Sequence, residues 1–182
     1  SGCKTQDLLR PRIMFGHLKK FLKGNYAVSA NNAQQAMDEM HIELMALPEV
    51  RKDFTTPEGA ILCLEDAYRS KNIEAAVAAK DFKTEARLML QKTGFGNCIN
   101  DENVTMLANT LELSFRAHTT AKWPDFEQLE SFFPKQEQLN GGIVAVTEVC
   151  RFPDGFYSQQ EILVEKTSDG WRVLHSTKDD VI

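Results

Sequence analysis

Apolar side chains recur every three or four residues through the first two-thirds of the chain, and from about Phe126 the period drops to two. That switch predicts helices first and strands second. Leu8, Leu9, Ile13, Phe15, Leu18, Phe21 and Leu22 keep a broken helical rhythm over residues 7–23, which predicts an amphipathic N-terminal arm interrupted at Pro11 and ended at Gly24. Ala33, Ala36, Met37, Met40, Leu44 and Met45 predict a helix from Asn31 to Leu47, stopped by Pro48, with its methionines filling an irregular part of the core. Thr55 and Glu58 stand at capping-box spacing, and Pro57 sits where a helix needs no backbone donor. The helix they open turns Ala60, Ile61, Leu64, Ala67 and Tyr68 to one side. Two short helices follow at 73–79 and 82–90. Asp101 is then expected to cap a longer one, with Val104, Leu107, Ala108, Leu111 and Phe115 in a stripe and Glu112 paired to Arg116 on its outside.

The period-two region predicts strands at 126–133, 142–151, 156–167 and 171–177. Phe152-Pro153-Asp154-Gly155-Phe156 and Ser168-Asp169-Gly170 carry turn chemistry, so neighbouring strands run antiparallel as a meander. Helices followed by a meander give an α+β class, with the helices segregated to the concave face of a curved antiparallel sheet. Residues 1–50 read as an N-terminal helical extension and 54–182 as the domain itself.

A length of 182 residues suits one domain, and 42% hydrophobic with 26% charged residues is a globular composition rather than a disordered one. The net charge of −5 argues against nucleic acid as a partner, the Lys19, Lys20 and Lys23 cluster notwithstanding. No apolar run has the length of a membrane span. Met14-Phe15-Gly16-His17-Leu18-Lys19-Lys20 reads as a natural cytosolic start. The competing reading takes Ser1-Gly2-Cys3 as the end of a lipoprotein signal, with Cys3 lipidated in an envelope compartment. Cys3, Cys63, Cys98 and Cys150 form no CxxC pair, and Cys63 and Cys150 are expected to be buried free thiols. The histidines at 17, 41, 118 and 175 have no metal-ligand spacing, and no phosphate loop or nucleophile elbow is present, so neither a metal nor a cofactor is expected.

The segments Thr56-Pro57-Glu58-Gly59-Ala60, Ala67-Tyr68-Arg69-Ser70-Lys71-Asn72-Ile73-Glu74-Ala75-Ala76 and Asp169-Gly170-Trp171-Arg172-Val173-Leu174, in that order around short helices and a meander, resemble the nuclear transport factor two-like superfamily, also called cystatin-like or SnoaL-like. The resemblance spans about residues 54–177 and implies a cone-shaped fold. It is closest in look to bacterial immunity proteins, which implies a non-catalytic domain that neutralises a cognate toxin. The superfamily also hosts isomerases and hydrolases, so a small-molecule pocket enzyme or ligand binder is the alternative.

Pocket chemistry would fall to Tyr68, His118, Glu148 and His175. His118 follows Phe115 by three and Leu111 by seven, so it is placed on the buried stripe as a core or helix-end histidine, or as a general base. His175 alternates in phase with Trp171 and Val173, so it turns inward toward His118 if Trp171 does, or else stands exposed at the strand end. Tyr68 is a core tyrosine or an acid. Glu148 interrupts a strand that is apolar on both faces and so lines a pocket or an interface. Asp66, Asp81, Asp101 and Glu161 are less distinctive. For the protein-binding reading, the adjacent Phe132 and Phe133 point to opposite sheet faces, leaving one for a partner, whether a basic toxin or a second copy in a homodimer.

Overall fold

Thr56 opens the central helix: its hydroxyl accepts from the Gly59 amide at 3.1 Å, and Pro57 follows as the first helical residue. The cap is thus one residue later than the spacing of Thr55 and Glu58 predicts, because Thr55 turns back to Asp53. A computed structural model describes residues 30–92 and 99–175. The predicted arm at 7–23, Cys3, Cys98 and residues 176–177 of the predicted last strand lie outside them. The helices are α1 (Ala30–Met45), α2 (Pro57–Arg69), α3 (Ile73–Ala78), α4 (Phe82–Lys92) and α5 (Asp101–Ala121). Asn100, not Asp101, caps α5; its side chain takes the Asn103 amide at 2.8 Å, and Asp101 occupies the first turn. Thr56→Ala should lower stability by about 1 kcal/mol in urea denaturation, and an unchanged midpoint would remove Thr56 as the cap.

The strands β1 (Glu130–Gln138), β2 (Ile143–Arg151), β3 (Tyr157–Thr167) and β4 (Gly170–Val173) form one antiparallel sheet in the order β1-β2-β3-β4. Both predicted turns close as expected, and Gly170 is required at the second. Its φ is 109°, and a Cβ there would stand 2.4 Å from the Phe54 carbonyl oxygen. That same oxygen accepts the Trp171 amide.

β2 is buried at every position from Ile143 to Cys150, so both sheet faces are covered. On one face Val144, Val146, Val164 and Val173 pack against Ala60, Ile61, Leu64 and Ala67 of α2. On the other, Ile143, Ala145 and Leu163 pack with Leu174 and with Leu88 of α4. The α1 residue His41 meets the Tyr157 hydroxyl on that second face at 2.8 Å. Helices confined to one face were expected. The departure follows from the two apolar faces of β2 and β3, each of which needs a cover.

Three further expectations change. β1 starts at Glu130, because 126–129 close a turn in which Gln128 has φ 60° and Leu129 bonds back to Phe126. It runs on past Pro134, which sits in the break in register between Phe132 and Lys135, a place for proline on an edge strand. Among the described side chains of α1 only Leu44 is buried, with Met37 and Met45 exposed rather than core-filling. Cys63 is half-buried, whereas Cys150 is buried.

Candidate functional site

Glu65 falls four residues after Ile61 and three before Tyr68, on the side of α2 that faces the sheet. Glu148 shares a face of β2 with Val144 and Val146, and its cross-strand neighbour is Gln160. The two carboxyls meet between helix and sheet, Glu65 at 2% exposure and Glu148 at 1%. Arg69 holds one oxygen of Glu65 at 2.6 Å, and the Gln160 amide donates to one oxygen of Glu148. The other oxygen of each, Oε1, is buried with no donor from the described residues. The two carboxyls are near enough for Glu148 to act on the Glu65 acid. Burial first, and Glu148 second, push the Glu65 acid up to about 8, against the pull of Ser131 and Arg69. Near neutral pH Glu65 therefore keeps its proton.

Beside this pair a cleft of about 540 Å³ opens between α2, the C-terminal part of α5, the middle of β2 and β3 and the end of β4. Ile61, Leu64, Phe115 and Ile162 make apolar walls. The rings of Tyr68 and Phe126 stack beside it, 5.5 Å apart at 26°. Burial, with Glu85 adding to it, raises the Tyr68 hydroxyl to about 12, so it stays a donor. Lys80 also borders the cleft, its ammonium 3.1 Å from Glu85 and lying between the Phe82 and Phe115 rings at 5.8 and 5.5 Å. Glu85 takes the His175 backbone amide as well, tying the end of the last strand to α4.

All four residues singled out for pocket chemistry, Tyr68, His118, Glu148 and His175, border this one cleft. The partner that Glu148 finds across the floor is Glu65, not another of the four. His118 is not on the buried stripe: the line of Leu111 and Phe115 continues to the buried Thr119, and His118 lies exposed at the rim with Nδ1 2.8 Å from the Ser114 carbonyl. His175 is exposed at the opposite rim. Asp66 pairs with Lys52, Asp81 accepts the Lys83 and Thr84 amides, and Glu161 also borders the cleft.

Glu65, Gln160 and the Lys80–Glu85 pair are the residues that sequence reading missed. One signal was available, a charged residue in step with Ile61 and Tyr68 on an otherwise apolar helix face. Phe133 packs onto the core and Phe132 is half-buried. The Cys150 thiol beside the pair is pushed up to about 12 by burial and then by Glu148, so it stays protonated and unreactive. A second hollow, along Met106 and Leu113 of α5, is open surface without converging buried polar groups.

Among the described residues no three His, Cys, Asp or Glu side chains gather to hold a metal, and no helix is long and apolar enough to cross a membrane. No protein-family model matches the chain, and neither a curated protein nor a solved structure is significantly similar to it. The class that stands is α+β, with five helices among the described residues followed by a four-stranded antiparallel sheet.

Proposed function

We propose that this chain binds a small, largely apolar molecule in the cleft, with the Glu65–Glu148 pair as the polar end of the site. One observation carries the reading: Glu148 is buried where it lines the cleft, with an amide and a second carboxyl for company and no cation from the described residues. A glutamine at position 148 would accept from Gln160 and donate to Glu65 with no proton to hold, so the carboxyl pair is a costlier arrangement than packing needs. Such pairs belong where a proton is held for use at a ligand. The dimensions suit this role, since about 540 Å³ lies within the usual range for small-molecule sites. On this reading the sheet and helices form the cone of the nuclear transport factor two-like fold, the alternative of a ligand binder or acid–base enzyme gains over pure protein binding, and Tyr68 serves as a second donor.

A fragment screen by amide-resolved NMR tests it. Hits should shift the amides of Glu65, Tyr68, Glu148 and Gln160 together; shifts confined to other surfaces, or no hits, would overturn it. Neutralisation of a protein partner, as in immunity proteins, is the second reading. It draws on β1, an edge strand paired on one side, and on the net charge of −5, which suits a basic toxin.

A further inference from the structure

We propose that the polar group the cleft takes is a primary ammonium on an apolar, aromatic-sized body, seated between the Glu65 and Glu148 carboxyls. This rests on the cleft being a ligand site and names what the ligand must carry. The argument is one of charge and donors. Lys80 is already matched by Glu85 at 3.1 Å, and Arg69 by Glu65 at 2.6 Å. Glu148, at 1% exposure, has no such match among the described residues; both it and Glu65 line the cleft, and Oε1 of each is buried without a described donor. Two buried acceptors without a described donor call for a ligand that donates. A hydroxyl supplies one proton and no charge. An ammonium supplies three donors and the missing positive charge, and so replaces the proton on Glu65 while the carboxyls spread to receive it.

The walls agree. Tyr68 and Phe126 present a stacked aromatic surface beside the carboxyls, and Phe115 borders the same space, the surroundings in which a desolvated cation gains from ring faces. Ile61, Leu64 and Ile162 are left to cover the apolar body. Around the pair itself stand Arg69 and Tyr68 of α2, Cys150 of β2 and the matched Lys80–Glu85 pair. His118 of α5 and Lys122 just after it, with Glu161 and His175, also line the cleft. Because the ammonium displaces a proton, binding releases about one proton at a pH where Glu65 still keeps it, and it tightens as that proton is lost to solvent.

The test is isothermal titration calorimetry of the whole protein with 2-phenylethylamine and its neutral counterpart 2-phenylethanol, in buffers of differing ionisation heat. The amine should bind roughly tenfold or more tightly at about pH 8.5 than at about pH 6.5, releasing about one proton at the lower pH. Glu148→Gln, whose fold is checked by thermal melting, should weaken the amine about tenfold or more and abolish the proton release, leaving the alcohol little changed. Equal affinity for amine and alcohol, or amine binding independent of pH and of Glu148, would overturn the ammonium assignment and leave the cleft reading standing. Binding of neither compound, together with an empty fragment screen, would overturn both.

Discussion

Glu85→Ala will destabilise the protein by about 3–5 kcal/mol, the cost of stranding a buried charge. The Lys80 side chain is 4% exposed and Glu85 6%, and the ammonium lies against two phenylalanine rings with Glu85 as its carboxylate at 3.1 Å. Without that carboxylate the lysine is left to aromatic faces alone. The same change removes the acceptor of the His175 amide and loosens the tie between α4 and the end of the sheet. The effect belongs to the unmatched charge and not to a loss of volume, so the pair Lys80→Met with Glu85→Leu should recover most of the stability. Urea denaturation of the single and double variants reads this out. A double variant no better than Glu85→Ala would make the contact a packing one.

The second large effect is on pH. Glu65 has a folded-state value near 8 against an ordinary glutamate value of 4.5, so between those two the folded protein keeps a proton that the unfolded chain has lost. Stability contributed by the pair is therefore fully present below the ordinary value and is lost as pH rises toward 8, with a slope of up to about 1.4 kcal/mol per pH unit. Above that the contribution is flat, and two carboxylates share one arginine. Glu148→Gln removes the slope, because the amide supplies the hydrogen and Glu65 can ionise against Arg69. The variant should melt higher than the parent at about pH 8.5 and close to it at about pH 5, with unfolded-state effects common to both. A wild-type melting temperature that rises through this range, or a variant that follows the same curve, would contradict the proton kept on Glu65.

Much of the fold was legible because its signals are local. The apolar run of β2, the turn at Asp154 and Gly155 and the apolar stripe from Val104 to Phe115 each depend on neighbours in sequence, and each stands where the pattern puts it. What failed depended on competition between near-equal neighbours or on tertiary cover. Thr55 and Thr56 both offer a capping hydroxyl, and Asp53 decides between them by engaging the first. Pro134 reads as the end of a strand, yet on an edge its missing donor costs nothing and β1 continues. The second covered face of the sheet needed α1 and α4 to be placed, which period alone does not do.

The site was half legible. Glu148 stood out because both faces of its strand are apolar, and Tyr68 because an aromatic in step with Ile61 and Leu64 must border whatever the helix covers. Glu65 escaped notice. On a helix a glutamate beside an arginine four residues on reads as an ordinary exposed pair, and only the sheet laid against α2 buries it. His118 shows the reverse error: three-residue spacing from Phe115 placed it inside, but the four-residue step to Thr119 is the one the core follows.

The proton that Glu65 keeps beside Glu148 is the centre of the account, and carbon-13 NMR of the glutamate side-chain carboxyls across a pH titration observes it most directly. One carboxyl resonance should titrate near 8, well apart from the exposed glutamates, and should move back toward the ordinary range in Glu148→Gln. If every glutamate carboxyl titrates in the ordinary range, the pair holds no proton, and the site built on it falls.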